Sequence, residues 1–185
     1  MTNNVQEIPE LLGKFKHKTE NYVKFHEVDS FQVVHNLNYL LWSEIARVEY
    51  CKELGISILS NKNNSPSTAQ NEKPFSIYLV RNEINYFNPA TFLDNYIIYT
   101  RVSKLGWSSI TFEHIITKQD GTPLCINQAV EVYVSQEDMR PTEIISDIRN
   151  KIIAFEKDDL MISIRLMKKG RYFLLKNILN FASKD

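Results

Sequence analysis

The chain has 185 residues, of which 43% are hydrophobic and 24% charged, the balance of an ordinary globular protein with one core. Lysine plus arginine and aspartate plus glutamate number 22 each, so the formal net charge is zero. No global field therefore favours nucleic acid as a partner. The N-terminal segment is too polar for a signal peptide, and no apolar run reaches the length of a membrane span. The two cysteines, Cys51 and Cys125, lack a paired spacing and are expected to be buried thiols, which favours a reducing, cytoplasmic location.

The first half of the chain predicts a strand followed by a long helix. Residues 1–19 form a polar lead-in, and residues 20–28 have the composition of a strand. Helical spacing then predicts a helix over residues 36–54, and Gly55 follows where a left-handed C-terminal cap is common. One apolar stripe of this helix consists of Leu37, Leu40, Leu41, Ile45, Val48, Cys51 and Leu54. Tyr39, Trp42 and Tyr50 widen the stripe, so the helix is expected to be buried on more than one side.

The second half is dominated by strand patterns. After a polar segment at residues 60–74, which is typical of an exposed loop, strands are predicted over residues 75–87, 96–103, 107–117 and 124–135. The short connections, including Asp120-Gly121, require antiparallel neighbours. A helix is predicted over residues 141–155, and a basic segment of helical pattern begins near Leu160.

These elements predict an α+β fold, in which a five-stranded antiparallel sheet wraps around the long helix and a helical extension follows at the C-terminus. We expect a lead-in over residues 1–19, the domain over 20–156 and the basic tail over 157–185.

The segment from Val23 to Gly55 resembles the opening block of the 4-hydroxybenzoyl-CoA thioesterase-like hot-dog family. In that block an acidic strand end leads through a short connection into a helix beginning near N-x-x-Y and continuing with E-x-A-R. Glu27, Val28 and Asp29 stand at the acidic end, Val33, Val34, His35 and Asn36 in the connection, and Tyr39, Glu44, Ala46 and Arg47 on the helix. Three later segments, VRNEINYFNPATFLDNYIIYTRVSKLGWSSITFEHII, QAVEVYV and RPTEI, follow in the family's order.

The resemblance implies the hot-dog fold and hydrolysis of acyl-CoA thioesters, and no cofactor is expected. The four histidines and the scattered acids lack metal-ligand spacing, so no metal is predicted. The resemblance also implies a homodimer that pairs two sheets edge to edge, or a homotetramer built from two such dimers. Asp29 matches the catalytic carboxylate, acting as nucleophile or as general base toward water. The backbone N–H near Asn36 matches the group that polarises the thioester carbonyl. This assignment is chemically reasonable, because thiolate is a good leaving group and helix N-terminal amides stabilise an oxyanion.

Other residues are weaker candidates. His35 could act directly in catalysis, although a histidine at a helix start more often caps or packs. Glu44 could act as an acid or base, although an ion pair with Arg47 is the simpler expectation. Tyr39, Ser108 and Ser109 are candidate substrate-binding residues, the two serines reaching the site from a partner strand.

One departure from the family pattern favours a second class of function. The family usually has glycine at the position of Gln32, and glutamine does not adopt positive φ freely. Either the loop takes another path, or the oxyanion geometry is altered. A non-catalytic acyl-CoA-binding protein, acting as sensor or scaffold, is therefore the alternative, and an enoyl-CoA hydratase using Asp29 and His35 a more distant one. The basic tail could contact CoA phosphates, an acyl carrier protein or anionic lipid, or could pack on the oligomer.

Overall fold

The computed structural model describes residues 8–56 and 75–163. In chain order they form α1 (Ile8–Leu12), β1 (His17–Tyr22), a 3-10 turn (Phe25–Glu27), α2 (Asn36–Glu53), β2 (Phe75–Tyr86), β3 (Asn95–Leu105), β4 (Ser109–Lys118), β5 (Pro123–Ser135), α3 (Ser146–Glu156), a second 3-10 turn (Lys157–Asp159) and β6 (Met161–Ile162).

The strands form one sheet in the order β1-β3-β4-β5-β2, and all neighbours on this path are antiparallel. The short strand β6 adds a parallel pairing to β3 at Lys104 and Leu105. The helix α2 packs mainly over β3 and β1. The predicted α+β architecture, five antiparallel strands with a long helix against them, is confirmed.

The strand predicted at residues 20–28 is wrong at both ends. β1 begins at His17, before the domain boundary expected at residue 20, and ends at Tyr22. The chain then turns, and the buried Glu27 side chain stabilises this turn with two hydrogen bonds. Its Oε2 accepts the Lys24 N–H at 2.7 Å, and its Oε1 accepts the Trp42 indole N–H at 2.8 Å. This capping closes the 3-10 turn where a strand was predicted.

The C-terminal elements also differ from the prediction. Pro141 does not open the helix but forms an antiparallel bridge with Val134, and α3 begins only at Ser146. The chain after Leu160 continues as β6 on the edge of β3 instead of as a helix. The polar loop at residues 60–74 and most of the basic tail, residues 164–185, lie outside the described residues.

The buried face of α2 differs in part from the predicted one. The side chains that face the sheet belong to Tyr39, Trp42, Ser43, Ala46, Arg47, Tyr50 and Cys51. The burial expected for Cys51 and for the aromatic residues is confirmed. Burial on the aliphatic side is wrong, since Leu37 is 61%, Leu41 53%, Ile45 51% and Val48 40% exposed. Aromatic rings bury more area per residue than leucine or valine, and Trp42 stacks on Tyr96 of β3 with ring centroids 4.0 Å apart.

The core beneath α2 has two parts. One surrounds Trp42 and includes Cys125, and the other surrounds Tyr50 and includes Cys51. Both cysteines are buried free thiols, as predicted, and burial raises the pKa of the Cys51 thiol to about 12. No helix in the described ranges is both long and apolar enough to cross a membrane.

Candidate active site

Asp29 lies in a tight hairpin directly before α2. Val28 and Val34 form its antiparallel bridge, and the Asp29 N–H donates to the Val33 carbonyl at 2.9 Å. The Asp29 carboxylate is half-buried, and its Oδ1 accepts the Phe31 N–H at 2.8 Å. For the other oxygen, Oδ2, the described residues supply no hydrogen-bond donor. One oxygen is thus held in place, while the second is available to a substrate or a water.

Gln32 closes this hairpin with a left-handed backbone. Its φ is 63°, and its N–H donates to the Asp29 carbonyl at 3.0 Å. The loop therefore keeps the conformation for which glycine is suited, and glutamine accepts a strain of about 1–2 kcal/mol. The sequence left two outcomes for glutamine at this position, an alternative loop path or an altered oxyanion geometry. The structure does not show the alternative loop path.

The first turn of α2 presents a free amide beside the hairpin. His35 is the N-cap, and its Nδ1 accepts the Leu37 N–H at 3.3 Å. The Asn38 side chain donates to the Glu27 carbonyl at 2.8 Å, which ties the helix start to the 3-10 turn. Within residues 8–56 and 75–163 the Asn36 N–H has no hydrogen-bond acceptor. Such an amide carries partial positive charge and can stabilise an oxyanion.

His35 is exposed, and its ring nitrogen is occupied by capping. The bond requires an unprotonated Nδ1, because the backbone amide is the donor. Capping is thus the observed role. A direct part for His35 in catalysis stays a prediction.

Glu44 is not brought to the hairpin. It lies more than two helical turns from Asn36, a rise of about 12 Å. Its carboxylate pairs with Arg47, and the expected ion pair is confirmed. The Arg47 Nε in turn lies 3.0 Å from Oε1 of the buried Glu131 on β5. Burial raises the pKa of Glu131 to about 7, against the opposing effect of the Arg47 charge.

Tyr39 is a core residue in this chain. It is 3% exposed, its hydroxyl accepts the Ala90 N–H at 3.0 Å, and its ring contacts Trp42 edge-on at 5.0 Å. Burial raises the pKa of Tyr39 to about 12. The structure places its hydroxyl on the loop before β3 and away from an open surface, so substrate contact stays a prediction.

Ser108 and Ser109 lie at the opposite end of the sheet from Asp29. Val33 next to Asp29 bridges Thr91, just before β3, whereas Ser109 begins β4 and pairs with Val132. The length of β4 separates the two ends by about 30 Å. Within one chain the serines therefore do not meet the hairpin, and only a second copy could bring them there.

A group of exposed apolar side chains near Asp29 was not recognised from the sequence. Phe25, Phe31, Phe92 and Leu93 surround the hairpin and are between 46% and 83% exposed. The available signal was Phe31, a large apolar residue in a tight turn beside the candidate carboxylate. Among the described residues, no three His, Cys, Asp or Glu side chains cluster as metal ligands do.

The hairpin, α2 and all the long strands fall within residues 23–152, which match the model of the thioesterase-like superfamily. The chain belongs to this superfamily. It is accordingly an enzyme of the thioesterase class with the hot-dog fold, as the resemblance implied.

Individual relatives agree with this assignment. The chain is 26% identical over 144 residues to the chloroplastic acyl-acyl carrier protein thioesterase ATL3 of Arabidopsis thaliana, covering 77% of this chain and 70% of that protein. It is similar to a thioesterase from Thermus thermophilus solved with coenzyme A and zinc, with 26% identity, a TM-score of 0.60 and coverage of 77% and 96%. The fold also matches a 1,4-dihydroxy-2-naphthoyl-CoA thioesterase from Synechocystis at 15% identity and a TM-score of 0.63, covering 73% and 93%.

Proposed function

We propose that this thioesterase hydrolyses acyl-CoA to the free acid and CoA, with Asp29 as the reactive carboxylate and the Asn36 N–H as oxyanion donor. The observation that carries the proposal is the juxtaposition in the hairpin. One carboxylate oxygen is fixed by the Phe31 amide, and the described part of the chain offers no donor to the other. The Asn36 N–H at the start of α2, seven residues further along, has no acceptor among the same residues.

The chemistry can follow one of two routes through Asp29. As general base, Oδ2 removes a proton from a water that attacks the thioester carbon. The carbon–sulfur bond then breaks, and the CoA thiolate takes that proton back from Asp29. As nucleophile, Oδ2 attacks the carbon itself and expels the thiolate, and water hydrolyses the resulting anhydride. In both routes the Asn36 N–H faces the developing oxyanion.

A multiple-turnover reaction in water labelled with oxygen-18, followed by mass spectrometry of the protein, separates the routes. Nucleophilic attack leaves label in the Asp29 side chain after repeated turnovers, because water can cleave the anhydride at the side-chain carbonyl. General-base catalysis puts label only in the released acid.

CoA is proposed as the carrier, in line with the Thermus protein solved with coenzyme A. The Arabidopsis relative bears the name of an acyl-acyl carrier protein thioesterase, so an acyl carrier protein is the competing carrier. Parallel assays with one acyl group on the two carriers decide between them by kcat/KM.

A homodimer formed through β2 is part of the proposal. β2 is one of the two edges of the sheet path, and Tyr78, Leu79 and Val80 on it are 45%, 54% and 59% exposed. Antiparallel pairing of two β2 edges reverses one sheet relative to the other, which carries the Ser108 end of one copy toward the Asp29 end of its partner. A homotetramer would in addition cover the exposed side chains of Leu37, Leu41, Ile45 and Val48 on α2. A cytoplasmic location remains the expectation.

The alternative is an acyl-CoA-binding protein without turnover, and the strained Gln32 in the hairpin is the observation that favours it. The hydratase alternative is less well supported, because the His35 Nδ1 is engaged in capping. A screen of CoA esters with a thiol reagent tests all three functions. Thiol release supports the thioesterase, stabilisation without release supports the binding protein, and loss of enoyl absorbance without thiol release supports the hydratase.

A further inference from the structure

Two tight turns at the Asp29 end of the molecule display large apolar side chains to solvent. Phe31 on the first turn is 83% exposed, and Phe92 and Leu93 on the second are 46% and 60% exposed. Phe25, 78% exposed, packs edge-on against Phe92 with ring centroids 5.9 Å apart. We call Phe25, Phe31, Phe92 and Leu93 the apolar rim.

The two turns are fastened to each other. Val33 bridges Thr91, and the Val34 N–H donates to the Ala90 carbonyl at 2.8 Å. The second turn is closed by Asp94, whose Oδ2 accepts the Thr91 N–H at 2.7 Å. The rim is therefore carried on two turns whose backbones are hydrogen-bonded to each other.

Both turns also contain a strained backbone position. Gln32 has a φ of 63° and Leu93 a φ of 68°, where glycine would avoid the strain. Leu93 gains no compensating burial for its side chain in this chain. Exposed apolar groups on strained, well-fastened turns are typical of binding surfaces.

We propose that the apolar rim binds the apolar part of the acyl group, so that this enzyme selects long aliphatic or aromatic acyl thioesters over acetyl. The inference rests on the proposed function. The Phe31 N–H holds the Asp29 carboxylate, so an acyl carbon at Oδ2 lies beside the Phe31 residue. An acyl group that extends from there along the joined turns can contact the other apolar side chains of the rim, whereas acetyl is too short to extend beyond Phe31.

The test compares Phe31→Ala and Phe92→Ala with a matched control, Met161→Ala. Met161 is 41% exposed, and it lies on β6 beside β3, at the opposite end of the sheet from Asp29 and away from the β2 edge. The values of kcat and KM are measured with acetyl-, octanoyl-, palmitoyl- and benzoyl-CoA, below the micelle concentration. Phe31→Leu, which keeps an apolar side chain, serves as the conservative variant.

We expect the rim variants to lower kcat/KM for octanoyl- and palmitoyl-CoA about tenfold, mainly through KM, as loss of one apolar contact predicts. The loss for acetyl-CoA is expected to be clearly smaller, Phe31→Leu to recover part of the preference, and Met161→Ala to behave as the wild type. Equal losses for every acyl group, acetyl included, would overturn the inference, as would unchanged kinetics.

A binding measurement separates this inference from the proposed function. In the Asp29→Asn background, calorimetry should show that Phe31→Ala lowers the affinity for octanoyl-CoA but not the affinity for free CoA. This result needs no turnover, so it can support acyl binding by the apolar rim even if hydrolysis is never found. Equal octanoyl-CoA affinities with and without Phe31→Ala would reject the inference. Neutral phospholipid vesicles test a lipid surface instead. If Phe31→Ala abolishes vesicle binding but leaves the octanoyl-CoA kinetics unchanged, the rim binds a lipid surface and the inference is overturned.

Discussion

The indole N–H of Trp42 donates to Oε1 of the buried Glu27 at 2.8 Å, joining the core face of α2 to the 3-10 turn that precedes the hairpin. The same carboxylate accepts the Lys24 N–H, and the Glu27 carbonyl accepts the His35 N–H at 2.9 Å. Glu27 thus fixes the chain on both sides of Asp29.

Replacing Glu27 should therefore lower the stability of the fold around the candidate site. Glu27→Ala leaves the Trp42 donor buried without an acceptor, and we expect a loss of about 2–3 kcal/mol in the free energy of unfolding. Glu27→Gln keeps one carbonyl acceptor and should lose less. Urea unfolding followed by Trp fluorescence measures both. Equal stability of Glu27→Ala and the wild type would show that this connection contributes little.

Asp29→Asn should abolish most of the activity while preserving the hairpin. The asparagine carbonyl can still accept the Phe31 N–H, but it can neither remove a proton nor form an anhydride. We expect kcat to fall at least about a hundredfold with little change in the melting temperature. Thiol release from acyl-CoA and a thermal scan measure the two effects. Hydrolysis at the wild-type rate would disprove the assignment of Asp29.

Gln32→Gly should stabilise the protein by roughly 0.5–1 kcal/mol. Relief of left-handed strain exceeds the extra entropy that glycine gives the unfolded chain. Gln119→Gly is the control, because Gln119 is exposed and is not among the residues with positive φ; it should be destabilising. If Gln32→Gly is destabilising too, the strain is not a significant cost. Its activity, compared with that of the wild type, tests whether this residue reduces turnover.

His114 should make the fold sensitive to acid. The side chain is 1% exposed, its Nδ1 lies 3.0 Å from the Thr100 hydroxyl, and burial lowers its pKa to about 3 from the ordinary 6.5. Between these values the unfolded chain binds a proton that the folded chain does not. The stability contributed by neutral His114 is therefore complete above about pH 6.5 and falls as pH decreases toward 3.

The expected slope in this range approaches about 1.4 kcal/mol per pH unit. His114→Gln should flatten it, whereas the exposed His26→Gln should not. Denaturant midpoints at several pH values between 4 and 7 measure the slopes. Identical slopes for the wild type and His114→Gln would assign the acid sensitivity to other groups.

Much of the architecture follows from local pattern. Alternation and turn residues placed β2 to β5 close to their observed ends, and the helix predicted over residues 36–54 corresponds to α2 at Asn36–Glu53. Gly55 has the predicted left-handed φ, at 64°. These features depend on backbone preferences and side-chain periodicity, which neighbouring residues along the chain determine.

The site could be predicted only in part. The order Asp29 before Asn36 places a carboxylate next to a helix start, and the resemblance gave it a role. The bond from the Phe31 N–H to the Asp29 carboxylate is local, but it belongs to a turn in which Gln32 adopts a positive φ that glutamine does not favour. The opposite-end position of Ser109 depends on strand register, which long-range packing sets and spacing in the sequence does not express.

The sequence by itself determined where this protein has strands and a helix, and which carboxylate precedes that helix. Only the tertiary structure decided which face of α2 is buried, because two apolar faces satisfied the same helical period. The sheet accepts the face carrying Trp42 and Tyr50, whose rings fill more of the space between the layers. Leu37, Leu41, Ile45 and Val48 are left facing outward.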